Sequence, residues 1–194
     1  MKNKVLLVVV FLGMATALQA QTLLYDITSN NNSLGQITVT KSHQNGLLKI
    51  DVISEVKVKV FVNIDLKYHL TANYKNGELL SSTVLTFVNG KQHSSSITEK
   101  TNENYSITKD GDLSKFFNDI NYSGALLYWE EPKNISIVYS EIDNIEKPIK
   151  KVASGHYKLT DPKSKHSSDY FYKNGTLEKT VIQHTLMTFQ LTRR

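Results

Sequence analysis

The sequence predicts an all-β protein. It reads as a long, strongly curved antiparallel meander, open to partial closure as a lipocalin-like or lipoprotein-carrier-like barrel, with one short helix near residues 112–120. Three observations predict this. Between Val56 and Tyr74 every even position is apolar or aromatic, while the odd positions are Lys, Asn, Asp, His or Thr, Phe61 excepted. A period of two sends alternate side chains to opposite faces of a strand, one face to a core and one to water. Asn-Gly pairs stand at 45–46, 76–77, 89–90 and 174–175, and Asn-Gly suits the type I′ hairpin turn because both central residues need positive φ. The register counted outward from Asn76-Gly77 sets the apolar face of one arm against the more apolar face of the other and Lys75 against Glu78, and a slip of one residue would undo both matches.

The Val56–Tyr74 stretch is too long for one strand. At roughly 3.3 Å per residue it would run about 60 Å against a usual ~20 Å. It must bend, bulge or break near Asn63-Ile64-Asp65 and carry the same face onward.

The chain opens with a secretory signal pattern: Lys2 and Lys4, an apolar run Val5–Leu12, then Ala15, Ala17 and Ala20. Cleavage is expected after Ala20 or Ala17. The apolar run is too short to span a membrane comfortably, so no transmembrane segment remains after cleavage. Residues 21–194 then form one β domain of 194 − 20 = 174 residues, enough for a real core. A secreted or periplasmic location follows. The formal charge of +5 falls to +3 once Lys2 and Lys4 leave. The lysines are scattered, and no arginine precedes Arg193. Nucleic-acid binding is not expected without a concentrated basic footprint. There is no cysteine, which excludes disulfides, thiolate metal sites, cysteine nucleophiles and a lipid anchor on cysteine.

In order, Thr22–Ser29 is a first strand, closed by the polar turn Ser29–Ser33. Leu34–His43 and Leu47–Ser54 form a hairpin about Asn45-Gly46, which pairs Val39 with Val52 and Lys41 with Ile50. About Asn76-Gly77, Lys75 meets Glu78 and Tyr74 meets Leu79, continuing to Leu70 with Thr83, Tyr68 with Leu85 and Leu66 with Phe87. Gln92–Glu99 returns from Asn89-Gly90 with Ile97 its one large apolar residue, and reads as an edge or solvated strand. A short strand through Tyr105 and Ile107 leads to the turn Lys109–Gly111. Asp112 then caps a helix that places Leu113, Phe116, Phe117 and Ile120 on one side. Ser123–Trp129 is an apolar strand stopped at Pro132. Asn134–Ser140 is another strand, Ile145–Val152 a basic connector, and Gly155–Leu159 a short strand. Asp169–Tyr172 turns through Asn174-Gly175, pairing Tyr172 with Leu177 and Phe171 with Glu178, and Leu177–Leu191 closes the core. Tyr74–Leu79 (YKNGEL) and Tyr172–Leu177 (YKNGTL) echo one another. Duplication of a hairpin and convergence on good hairpin chemistry both explain that echo.

No catalytic, cofactor or metal site is read from the residues. His43, His69, His93, His156, His166 and His184 form neither HxH nor HExxH. In the expected registers His69 faces Val84 and His93 faces Thr86, and no third ligand presents itself. Glu130 and Glu131 are adjacent, so in a strand they face opposite ways and cannot flank one bond. There is no GxSxG elbow, SxxK motif or phosphate loop. The aromatics crowd the second half of the chain. They fit core packing, or the lining of an apolar pocket by Tyr128, Tyr139, Tyr157, Tyr170 and Tyr172.

Several stretches carry a family resemblance: LLYDITSNNNSLGQITV after the signal, SGALLYWEEP, ISIVYSE, SGHYKLTDP and DYFYKNGTLEK. In them the chain resembles a family of uncharacterised secreted or periplasmic proteins common in Bacteroidetes, known only as a domain of unknown function (type 6134). The matching points are the opening Tyr-Asp strand, Trp129, Glu131 and Pro132 at a strand end, Gly155-His156-Tyr157, and the hairpin Tyr170–Gly175. The resemblance implies a β fold and transfers no chemistry.

The expectation is an exported, non-catalytic binding or envelope-associated protein that holds an apolar small molecule or lipid in its curved sheet. That requires an accessible volume of at least about 300 Å³. One alternative is an interaction module that pairs an envelope protein along the polar strand 91–99. Another is an envelope glycan hydrolase, which requires two carboxylates converging in a cleft.

Overall fold

A computed structural model describes residues 20–59, 63–183 and 187–194. The predicted signal segment, the residues 60–62 and His184 lie outside the described residues. Fourteen strands form one sheet with every neighbour antiparallel. They are β1 (Ala20–Ser29), β2 (Asn32–Gln44), β3 (Leu47–Lys59), β4 (Asn63–Lys75), β5 (Glu78–Val88), β6 (Lys91–Lys100), β7 (Tyr105–Lys109), β8 (Asp112–Phe116), β9 (Ile137–Ser140), β10 (Ile145–Ala153), β11 (His156–Thr160), β12 (Ser167–Lys173), β13 (Thr176–Gln183) and β14 (Thr188–Arg193). The spatial order is β8-β7-β6-β5-β4-β3-β2-β1-β14-β13-β12-β11-β10-β9. The chain enters mid-sheet at β1, meanders to one end at β8, crosses to the other end at β9, and meanders back to lay β14 beside β1.

The long alternating stretch is a hairpin. β3 and β4 pair from Leu47↔Lys75 to Lys59↔Asn63. β3 ends at Lys59 and β4 begins at Asn63, so the stretch divides beside the expected Asn63–Asp65. Even residues still pair with even ones (Val56↔Leu66, Val52↔Leu70), so the same parity stays inside, and Val52, Val56, Leu70, Ala72 and Tyr74 are core. The Asn45-Gly46 hairpin has the predicted register, Val39↔Val52 and Lys41↔Ile50.

Three other hairpins begin as predicted and then slip by one residue. After Tyr74↔Leu79, Leu80 is extra and Leu70 faces Val84. After Phe87↔Gln92, His93 is extra and Thr86 faces Ser94. After Tyr172↔Leu177, Glu178 is extra and Phe171 faces Lys179. These are β-bulges, which set two residues against one, bend the strand and sharpen its twist. His69 therefore opposes Leu85, not Val84. The two YKNG hairpins share the bulge at the same place.

Four expectations are corrected. Residues 112–120 hold no helix. Asp110-Gly111 has positive φ at both residues and turns β7 into β8, pairing Lys109 with Asp112. Leu113 and Phe117 are exposed, while Phe116 packs on Tyr105 and Tyr139. Ser123–Trp129 is not a strand: Leu126–Tyr128 is a 3₁₀ turn. Residues 91–99 are not an edge, because β6 lies between β5 and β7. Ile145–Val152, expected as a connector, is strand β10.

The crossover between β8 and β9 runs across the inside of the curved sheet. Ile120, Tyr122, Ser123, Ala125, Leu126 and Leu127 are buried. The bulge in β5 frees the Leu79 amide from its ladder to donate to the Ile120 carbonyl at 2.9 Å, and the Tyr105 hydroxyl donates to the Leu79 carbonyl. On the other side, the Tyr139 and Gly124 amides donate to the Tyr122 and Tyr139 carbonyls, both at 3.0 Å. The crossover thus bridges β5 and the terminal strand β9 through backbone hydrogen bonds.

A chamber between the crossover and the sheet

Glu141 is the anchor of the crossover. It is 3% exposed. Its Oε1 accepts from Ser123 Oγ at 2.5 Å and the Ala125 amide at 3.0 Å, and its Oε2 from the Gly124 amide at 3.1 Å. Since Ser123 spends its one hydrogen on the carboxylate, the Tyr74 hydroxyl, 2.5 Å away, donates to Ser123 Oγ. Gly124 leaves room for this carboxylate: a Cβ on it would stand 2.7 Å from Glu141 Oε2, which would have to shift from its donors. Burial raises the Glu141 carboxyl above the usual carboxylate range, and the three donors only partly offset it.

The far side of the crossover is tied down by tyrosines. Tyr122 donates to the Glu130 carbonyl, Tyr172 to the Leu127 carbonyl at 2.8 Å, and Tyr157 to Glu131 Oε1 at 2.9 Å. The Tyr25 hydroxyl reaches the Leu177 carbonyl, and its ring meets Tyr128 edge-on at 5.6 Å. Trp129 ends the 3₁₀ turn beneath the Lys41 ammonium, 4.5 Å from its ring centroid. Glu130 and Glu131 flank no shared cleft, and the Glu131 carboxylate is held by Tyr157.

Beside this plug lies a chamber of about 660 Å³. β4 contributes Leu66, Tyr68 and Leu70; the crossover, Leu127 and Tyr128; β9 and its turn, Val138 to Asp143; β12 to β14, Tyr170, Thr180, Ile182 and Leu191. Leu66 and Ile142 are more than a third exposed and mark its mouth. The wall is chiefly aliphatic and aromatic. Its polar rim is Asp143 and Lys147, whose ammonium lies 2.5 Å from Asp143 and 2.9 Å from Asp161. Of the five tyrosines proposed from sequence to line a pocket, Tyr128, Tyr139 and Tyr170 stand on this wall. Tyr157 and Tyr172 do not line it; their rings meet edge-on at 5.7 Å and their hydroxyls bond to the plug. Tyr139 turns its hydroxyl to Thr98 at 3.0 Å, with Asn144 Nδ2 donating to it at 3.1 Å.

Sequence reasoning missed Glu141, Tyr68 and Thr180. Glu141 closes the ISIVYSE strand, where a glutamate reads as a solvated end. Its donors come from Ser123–Ala125, sixteen to eighteen residues earlier, and only a small-residue Ser-Gly-Ala run hinted at a close approach there. Of the histidines, His156 stacks on Phe171 at 4.4 Å and contacts Asp169 at 2.8 Å. Among the described residues, no three His, Asp or Glu side chains converge as a metal set.

Fold and chamber together define an open, barrel-like antiparallel sheet with an internal plug. The chain belongs to the family described as Domain of unknown function (DUF6134), which matches it over residues 25–194. No curated protein matches it. Among solved structures it is similar to a beta-barrel-like protein of domain of unknown function DUF1849 from Brucella abortus. The TM-score is 0.61 at 8% identity, over 89% of this chain and 95% of that one. At that identity the likeness speaks for the fold alone.

Proposed function

We propose that this protein is an exported, non-catalytic carrier in the envelope of a Bacteroidetes cell, holding an apolar small molecule or lipid within its curved sheet. The observation that carries the reading is the chamber. Its volume of about 660 Å³ falls within the roughly 300–1,000 Å³ of small-molecule sites, which are mostly apolar with a few placed polar groups. The carboxylates on its wall support a binding role over hydrolysis. Glu141 is engaged by three donors, and Asp143 by Ser140 and Lys147. Neither stands free as the acid or base that glycoside hydrolysis needs. The polar strand 91–99 is covered on both sides, so pairing along it is not proposed. Export rests on the Lys2–Ala20 pattern. Among the described residues no helix is long and apolar enough to cross a membrane.

Native mass spectrometry of the protein purified from its own envelope, beside a denatured control, tests the reading. A non-covalent apolar molecule lost on denaturation is expected. A plain polypeptide mass under native conditions overturns it.

A further inference from the structure

The sequence holds ten tyrosines. Seven of their hydroxyls are hydrogen-bonded within the protein. The other three, those of Tyr68, Tyr128 and Tyr170, have no hydrogen-bond partner among the described residues, and all three line the chamber. A fourth hydroxyl joins them: Thr180, 1% exposed and on the same wall, has a buried Oγ1 without a partner. Thr180 Oγ1 is fully buried, while the three phenols are half-buried side chains open to the chamber. A ligand that fills the chamber and strips these hydroxyls of water must supply their hydrogen-bond partners.

The three phenols share one chamber wall with Glu141: Tyr68 from β4, Tyr128 from the crossover and Tyr170 from β12. Burial and the Glu141 carboxylate push all three well above the ordinary phenol value. They stay protonated and act as donors. Charge limits what they can meet. Glu141 and Asp143 stand on the wall, and its one cation among the described residues, Lys147, is already shared between Asp143 and Asp161. An anionic head group would be repelled. A bare hydrocarbon would leave all four hydroxyls stripped of water and unpaired.

We propose that the chamber takes a neutral, carbonyl-bearing lipid, whose carbonyl oxygens accept hydrogen bonds from Tyr68, Tyr128 and Tyr170 while its chain lies on Leu66, Leu70 and Ile182. This rests on the carrier reading and adds the chemistry of the cargo. An acyl ester and a lipid quinone share that chemistry.

The test is displacement of the neutral dye N-phenyl-1-naphthylamine from purified, delipidated protein by 1-monolauroylglycerol, decylubiquinone, laurate and dodecane. One or both carbonyl probes are expected to compete at concentrations at least about tenfold below laurate and dodecane, and which one does so names the source. In a Tyr68→Phe/Tyr128→Phe/Tyr170→Phe variant that advantage is expected to vanish while dodecane competes as well as before. Each lost bond is worth roughly 2- to 10-fold. Equal competition by laurate or dodecane in the wild type overturns the proposal and leaves the carrier reading standing, as does an advantage that survives in the triple variant. If the triple variant does not fold, Tyr170→Phe alone is read instead: a several-fold loss supports the proposal and no loss overturns it. No dye uptake at all overturns the carrier reading with it.

Discussion

Glu141 concentrates in one side chain both the cohesion and the pH response of the crossover. Removing its carboxylate in Glu141→Ala leaves Ser123 Oγ and the Gly124 and Ala125 amides without their acceptor. At about 1–3 kcal/mol for each stranded buried group, the loss should be at least about 3 kcal/mol, read as a fall in urea midpoint. Glu141→Gln keeps one acceptor oxygen and should cost less. Glu141 also gives stability a pH dependence, opposite in sign to that of Asp161. The folded Glu141 carboxyl titrates above its ordinary 4.5, so over that window the folded state holds a proton that the unfolded state has released. Stability from Glu141 is therefore greatest below pH 4.5 and falls as pH rises through the folded value. Asp161 works the other way. Its carboxyl is held well below the usual range, first by the Ser164 amide and then by Lys147, and its contribution is lost as pH falls below about 3.8. The wild type minus Glu141→Gln difference isolates the first slope. A difference that is flat between pH 4 and 7 would mean that the buried carboxyl titrates normally.

At the scale of elements, the bulges shape the sheet as much as the alternation does. β2 carries one at its start: Ile27 pairs with Gly35 and Thr28 with Ser33, leaving Leu34 extra. Beside it Gly35 is clamped, since a Cβ there would lie 1.9 Å from the Glu55 carbonyl oxygen of β3. The clash is with backbone, and no side-chain rotation relieves it. Gly35→Ala should destabilise by about 2 kcal/mol or more, by prying β2 from β3, and a denaturation midpoint within error of wild type would refute this. The turns themselves were legible because Asn-Gly admits few geometries; Lys75↔Glu78 and Tyr74↔Leu79 followed by counting. The bulges were not, because an extra residue leaves the composition of a strand unchanged while swapping its faces. Leu85 and Phe87, expected inward, yield the inner face of β5 to Ser82, Val84 and Thr86. The misread segments failed for a related reason. Leu113, Phe116, Phe117 and Ile120 fit a helical spacing, yet Asp110-Gly111 forms a hairpin turn just before them. The run SGALLYW is nearly all apolar or small, with Ser123, Ala125, Leu126 and Leu127 buried, and periodicity cannot separate such a run into strand or turn. The aromatic lining was visible as a type of residue. Glu141 and the unpaired hydroxyls were not, since both arise from contacts between segments remote in sequence.

Across the whole molecule, one chemical probe reports on the core, the plug and the chamber at once. All ten tyrosines ionise above the ordinary value of 10.0, each chiefly because of burial. Tyr157 is pushed up to about 12, by burial and then by its hydrogen bond to Glu131. In the unfolded chain each would titrate near 10. Above that pH the unfolded state has shed protons that the folded state keeps. The stability the tyrosines confer is thus whole below pH 10 and drains as pH rises beyond it, up to ten protons deep. Phenolate absorbance at 295 nm should therefore stay flat through pH 10 and then rise in one steep step, coincident with loss of the far-ultraviolet β signal. Such a step would tie the plug tyrosines, Tyr122 and Tyr172, to the same cooperative unit as Tyr25 and Tyr74 in the sheet. If several phenols instead titrate reversibly near pH 10 with the sheet intact, the crossover is not seated inside the curved sheet. A chamber walled by Leu127 and Tyr128 would then not exist in solution, and the carrier reading would fall with it.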